Sequence, residues 1–265
     1  MQVKPHPALA HVVRHYLVLR GQQTTAWKHR LFADGNTGLV FNLGDASLHM
    51  ADSRPLQQSS WLYGQINTYR DISLSGNINW IVVVFHPYGA YHLFGVPATE
   101  WYDCFFPAQE VLGEQLNILS SRLASLADIN EQVGQLDRAL LRLLDKQQAP
   151  DSVVIAAAKH ITAQEGSLPI SSLLKTLAVN ERTLERKFKY CTGMTPKQFS
   201  AITRLNASAK RVQKMTRDNR LTDVAYDSGY FDQAHFIRDF KKYTGITPHQ
   251  YQQEVHPLAL NFLQL

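Results

Sequence analysis

The side chains best suited to chemistry in this sequence fall in two short runs near its carboxyl end. In the first, Arg182, Glu185, Arg186 and Lys189 occupy the side of a helix opposite Leu184 and Phe188. An arginine there can donate a bidentate pair to guanine, and a glutamate can accept from cytosine. In the second, Gln233, Ala234, Ile237 and Arg238 lie opposite Phe236 and Phe240. Glutamine suits adenine, arginine guanine, and the two apolar side chains suit thymine methyls. Lys187, Lys197, Lys210, Lys241 and Lys242 are candidates for phosphate contacts, which add affinity without sequence information. Taken singly, each also fits a solvated helix surface: Glu185 can pair with Lys189 one turn away, and an outward isoleucine is more often a packing contact. The reading rests on the set.

The elements that must position these residues are announced by an internal repeat. Phe188-Lys189-Tyr190-Cys191-Thr192-Gly193-Met194-Thr195-Pro196-Lys197-Gln198-Phe199 recurs 52 residues later as Phe240-Lys241-Lys242-Tyr243-Thr244-Gly245-Ile246-Thr247-Pro248-His249-Gln250-Tyr251. In each copy Thr-Gly marks the end of a helix, where glycine supplies a left-handed residue. Thr-Pro then opens the next helix, threonine as N-cap and proline in the first turn. Upstream, Leu221, Val224 and Ala225 lead to Gly229 and the cap Asp232; in the first copy Leu173, Leu174 and Leu177 lead through Ala178 to the cap Asn180. Helix, tight turn and capped helix is the helix-turn-helix arrangement. Tyr230 and His235 are assigned to the packing around the second turn. Between the copies, Pro196 to Met215 has no glycine or internal proline and predicts one helix of 20 residues. Its ~30 Å length approaches the ~34 Å of a duplex turn, so two recognition helices would enter successive major grooves.

The segment from about 151 to 252 resembles the DNA-binding domain of the AraC/XylS-type transcription regulators. The resemblance is carried by Leu184-Glu185-Arg186-Lys187-Phe188-Lys189 and by Gly229-Tyr230-Phe231-Asp232-Gln233-Ala234-His235-Phe236-Ile237-Arg238-Asp239-Phe240, each followed by its Thr-Gly-x-Thr-Pro. It implies base contacts at the same outward positions. Leu174 departs from the pattern, standing where the family has a small residue such as Ala225.

Charge follows the same division. Of 27 Lys/Arg and 22 Asp/Glu, the part from Asp151 onward holds 16 basic and 10 acidic residues, while 1–150 is nearly balanced. A basic module beside a near-neutral one fits a polyanion-binding unit joined to something else. The polar break Gln147-Gln148-Ala149-Pro150 sets the expected boundary: a sensor and dimerisation domain over 1–150 and a DNA-binding domain over 151–265. With 265 residues and 45% hydrophobic content, each part can bury its own core.

The first part predicts a short helix over Pro7 to Tyr16, then strands over Leu39–Leu43, Trp61–Ile66, Tyr69–Ser75 and Asn79–Phe85, with turns at Asp34-Gly35 and Gly76-Asn77. That spacing favours a small antiparallel sandwich or barrel. Trp27 to Gly35 and Phe85 to Ala90 are similar to stretches in the sensor domain of one AraC-type subgroup, with Ala33 where that subgroup commonly has proline. The resemblance implies a cupin-like β-barrel. The expected fold is thus α+β in two domains: this barrel with a helical linker, then an all-α domain with two helix-turn-helix units. A barrel mouth is a natural small-ligand site; Trp27, His29, Arg30, Asp34, Asn42, Trp80, His86 and Tyr88 are its candidates, each with core packing or turn formation as the plainer role. From 111 to 146 leucines recur at threes and fours, predicting two helices broken near Ala127, with Asp128 and Glu131 as a capping box. Packing against the barrel is the commoner fate of such a stripe; a homodimer interface is the functional reading, which the resemblance supports.

Two other classes compete with this reading. An alkyl-transfer repair enzyme with DNA-targeting helices needs an activated cysteine, and Cys104 and Cys191 lie in apolar or structural contexts. A metal-dependent barrel enzyme needs clustered histidines; His29, His49, His86 and His92 are candidates, but no His-x-His or His-Glu-x-x-His occurs. The expectation is therefore no catalysis, metal or cofactor. Double-stranded DNA and a small-molecule effector are the expected partners, with RNA polymerase if the output is activation. No secretory signal or 18-residue apolar run is present, so a cytoplasmic location away from membranes is expected.

Overall fold

The computed structural model describes residues 1–50, 55–146, 149–216, 220–253 and 262–264, excluding the side chains of 22–27 and 262–264. Its N-terminal half is an antiparallel sheet of β1 (Gln2–Val3), β2 (Val13–Leu31), β3 (Gly38–Asn42), β4 (Ser47–Met50), β5 (Ser60–Tyr63), β6 (Arg70–Phe85) and β7 (Phe105–Pro107), joined by β8 (Phe262–Gln264). The path runs β1-β2-β6-β3-β5-β7, with β4 paired to β6 and β8 to β2.

Side-chain alternation divides the sheet into two working faces. On one face Leu39, Phe41, Ile81, Val83 and Phe85 are buried under helices; on the other Val40, Trp80, Val82 and Val84 meet Trp61, Leu48 and Ile72. Residues from both ends of β6 gather in this second cluster, so the sheet curls around it. The barrel-like half expected from the sequence is present.

Several local expectations change. Pro7 to Tyr16 is not a helix: only Pro7–Leu9 makes a single 3-10 turn, and β2 begins at Val13. Val12 and Val13 are β-branched and favour extended backbone, and Val13 is paired with Phe85 of β6. The two strands expected over 69–75 and 79–85 are one strand of 16 residues. Gly76-Asn77 makes no hairpin, because Gln22 and Gln23 of β2 pair with it from outside. Gly76, at φ +91°, lets β6 bend where its inner partner changes from β4 to β3, and a Cβ there would meet the Asp45 carboxylate at 2.9 Å. The strand expected over 61–66 stops at Tyr63.

Helices α1 (Gly89–Phe94), α2 (Gln109–Leu112), α3 (Gln115–Ala124) and α4 (Ile129–Leu144) cover the outer face. The break before α4 is where the leucine pattern placed it: Asp128 caps α4 by accepting from Asn130 and Glu131 N–H. Gln132 donates from Nε2 to the Leu123 and Leu126 carbonyls, tying the two helices together. Leu116, Leu123, Val133, Leu136 and Leu140 are buried against the sheet. The stripe read as a dimer interface is thus largely used within one chain, leaving Ile118 at 57% exposure as its main outward apolar residue.

The second half is helical: α5 (Ser152–Ala163), α6 (Ile170–Leu177), α7 (Glu181–Thr192), α8 (Pro196–Gln213), α9 (Leu221–Asp227), α10 (Gln233–Thr244) and α11 (Pro248–Gln253). Two clusters form two lobes along α8. Val154, Ile161, Leu173, Leu184, Phe188 and Met194 pack on Phe199 and Ile202; Val224, Tyr230, Phe236, Phe240 and Tyr251 pack on Leu205, Ala209 and Val212. The barrel completes both: Phe32 is fully buried in the second lobe and Ala33 in the first. Asn206 of α8 marks the junction, donating to the Ala33 carbonyl at 3.3 Å. No helix among the described residues is long and apolar enough to cross a membrane.

Candidate nucleic-acid interface

The repeated punctuation of the sequence is repeated geometry. Thr192 Oγ1 donates to the Phe188 carbonyl at 2.8 Å and Thr244 Oγ1 to the Phe240 carbonyl at 2.7 Å. Gly193 (φ +79°) and Gly245 (φ +75°) end α7 and α10 in the left-handed region that glycine adopts at little cost. Thr195 then caps α8 in a reciprocal box with Gln198, and Thr247 makes the same exchange with Gln250 at the head of α11. The recognition helices start as cleanly: Asn180 accepts from Thr183 N–H at 2.8 Å and Asp232 from His235 N–H at 2.6 Å. Both turns are left-handed, at Ala178 and Gly229.

These caps fix the rotation of α7 and α10. With Leu184 and Phe188 buried, Arg182, Glu185, Arg186 and Lys189 are all exposed on α7. With Phe236 and Phe240 buried, Ala234 and Arg238 are exposed on α10, while Gln233 and Ile237 are half-buried. Gln233 Oε1 accepts from Thr222 Oγ1 at 2.7 Å, which orients its amide and leaves the NH2 group free to donate. Leu174, larger than its counterpart Ala225, stays partly buried against the first lobe's core.

The lysines divide by neighbour. Lys197, Lys241 and Lys242 are exposed, and the Lys242 ammonium sits 5.0 Å over the Tyr243 ring. Lys187 turns back to an ion pair with Asp151, the N-cap of α5, which holds that carboxyl below its usual range. Lys210 is exposed and also borders the barrel. It stands with Arg14, Asp34 and Asn206 at the opening of a cavity of about 350 Å3.

That cavity runs into the inner face of the sheet, among Leu17, Leu19, Val40, Trp61, Trp80 and Val82. Of the expected ligand residues it contains Asp34 and Trp80. Asn42 stands behind Trp80, accepting its indole N–H at 3.1 Å and donating to the Ala46 carbonyl. Burial raises the Asp34 pKa against the opposing hydrogen bonds from Asn36. Burial, then Arg14, push His15 down to about 4, so a neutral imidazole lines the opening. The other candidates lie elsewhere. His29 is buried, Arg30 pairs with Asp71 and stacks 4.3 Å over Tyr69, and Tyr88 is buried in the first lobe's core. His86 bonds the Ala10 carbonyl beside Tyr88. The Trp27 side chain lies outside the described residues. Sequence reasoning missed Arg14, His15 and Asn206, since their meeting depends on the two halves docking.

Among the described residues no three His, Cys, Asp or Glu side chains gather as a metal site would require. Burial pushes the Cys191 thiol up to about 11, the opposite of nucleophile activation. Cys104 is exposed and donates to the Tyr102 carbonyl.

A family profile described as a helix-turn-helix domain matches residues 173–254, and one described as a domain of unknown function (DUF6597) matches residues 1–107. The HTH-type transcriptional activator RhaS of Yersinia pestis is 36% identical over 83 residues, 31% of this chain and 30% of the relative. RhaS of Yersinia pseudotuberculosis serotype O:1b (strain IP 31758) matches to the same extent. The matched stretch thus spans about a third of the length of these curated relatives. Among solved structures, ToxT from Vibrio cholerae O395 is similar at 14% identity and a TM-score of 0.46, over 90% of this chain and 96% of that one. A transcriptional regulator with an AraC-type DNA-binding domain from Chromobacterium violaceum is similar at 22% identity and a TM-score of 0.36, over 39% of this chain and 91% of that one. The duplicated caps, the two left-handed turns and the exposed outer faces of α7 and α10 all lie in the segment that matches the helix-turn-helix domain profile and is similar to the RhaS activators.

Proposed function

We propose that this chain is a sequence-specific DNA-binding transcription regulator whose two helix-turn-helix lobes read successive major-groove segments. The observation that carries this reading is the pair of exposed recognition faces held on one continuous helix. The 18 residues of α8 span ~27 Å, close to one turn of duplex. Arg182, Glu185, Arg186 and Lys189 would read one segment, and Gln233, Ala234, Ile237 and Arg238 the next. Lys197, Lys241 and Lys242 would hold the phosphates, with Lys210 as a further candidate and Lys187 the one already paired, with Asp151. The N-terminal half would house a small effector in its cavity, an apolar body with its polar end at the opening beside Arg14, Asp34 and Lys210. An effector regulates only by favouring one arrangement of the lobes over another, and this opening touches α8 directly through Asn206 and Lys210. Contact with RNA polymerase, if the output is activation, belongs to the same reading, as do a homodimer formed through outward residues of 111–146 and a cytoplasmic setting.

Selection of bound duplexes from a random pool by the full chain tests it. The expected product is a site with two preferred segments about one helical turn apart. A pool that shows no enrichment at low salt overturns the proposal.

A further inference from the structure

The two lobes differ by one residue at the turn. In the first, Val179 N–H donates to the Leu174 carbonyl at 3.2 Å, closing α6, and Val179 packs on the lobe's core. The cap Asn180 follows at once. In the second, Tyr230 takes that place: its N–H donates to the Ala225 carbonyl at 3.0 Å and its ring is buried 5.1 Å from Phe236. Only then comes Phe231, and after it the cap Asp232.

Phe231 is therefore an extra residue, and its side chain is 84% exposed. An apolar residue ahead of an N-cap ordinarily folds back on the first turn of its helix. Here that space is filled by Tyr230, whose ring also meets His235 at 5.3 Å and the Arg204 guanidinium at 4.6 Å. The backbone on both sides is fixed, by a buried tyrosine before and a capping carboxylate after, so Phe231 is presented at one place. That place is the head of α10, next to Gln233 and Ala234, the end of a recognition helix that enters the groove first.

We propose that Phe231 is a further specificity residue, packing on the C5-methyl group of a thymine at the edge of the segment read by the second lobe. A phenyl ring has no hydrogen bond to offer a base or a phosphate, and the thymine methyl is the apolar feature of the major groove. The inference rests on the DNA-reading function proposed above.

The test uses the full chain and the duplex it enriches from a random pool, with each thymine in turn replaced by deoxyuridine. One replacement in the second segment should lower wild-type affinity about three- to fivefold, the worth of one methyl group. Phe231→Ala should lose a similar factor on the thymine duplex and lose nothing more on the uracil one, while Phe231→Leu keeps part of the preference. The melting temperature of Phe231→Ala should match wild type; a drop of several degrees would assign the ring a structural role and overturn the proposal. Wild-type affinity in Phe231→Ala, or an undiminished penalty for deoxyuridine in that variant, also overturns it and leaves the regulator reading standing. Failure of the wild-type chain to enrich any duplex overturns both.

Discussion

At the scale of single residues, direction decides role. Arg186 and Arg238 have the same chemistry as the arginines engaged by carboxylates elsewhere in the chain, but both project from exposed faces between caps that fix their helices. Replacing either with alanine should cost ~1–3 kcal/mol of binding and relax preference at one or two base pairs. Isotherms on specific and scrambled duplexes check this, because an equal loss on both would mark a phosphate contact. The lysines make the complementary case. Lys241→Ala should lower the slope of log affinity against log salt by about 1. Lys187→Ala should leave the slope unchanged, since its ammonium already serves Asp151. The outward arginines were legible because buried neighbours four residues apart fix a helix's rotation. The partner of Lys187 was not, since Asp151 lies 36 residues away in sequence.

At the scale of elements, the helical half follows from local chemistry and the sheet does not. Thr-Gly, Thr-Pro and the caps Asn180, Asp232 and Asp128 each act within four residues, so their consequences are written beside them. Strand β2 runs for 19 residues and takes its register from β6, whose paired residues lie 39 to 72 positions further along the chain. Gly76-Asn77 looks like a turn to its neighbours and becomes the bend of a long strand only because β2 continues past it. The same strand sets a pH response. His15, held down to about 4 chiefly by burial, stays neutral in the fold while its unfolded counterpart takes a proton near 6.5. The unfolded chain therefore binds more protons between those values, and stability must fall as pH drops through that window. Burial lowers His86 in the same direction. Melting temperatures should decline from pH 7 to pH 5, and His15→Gln should lessen the decline.

At the scale of the molecule, the boundary near residue 150 is clear along the sequence and less so in space. Composition and charge change there, and α5 begins at Ser152 under its Asp151 cap. Yet the cores do not divide at that point. Phe32 and Ala33 belong to the barrel by sequence and to the two lobes by packing. Nothing in the run Leu31-Phe32-Ala33-Asp34-Gly35 reveals this, because burial against α8 is a property of the assembled halves. Phe32→Ala should cost ~3–5 kcal/mol, as for other buried aromatics. Chemical denaturation of the full chain measures it, and a value near zero would mean that the second lobe does not depend on the barrel.

One practical consequence concerns dissection. A fragment starting at Asp151 would carry both α7 and α10 but would bare an empty socket beside Leu205, Phe240 and Tyr251. Its second head would be the weaker folder, prone to stick to whatever greasy surface is nearby. The smallest autonomous fragment that keeps both helix-turn-helix lobes intact therefore has to bring along the corner that contains Phe32, whether or not it keeps the rest of the barrel.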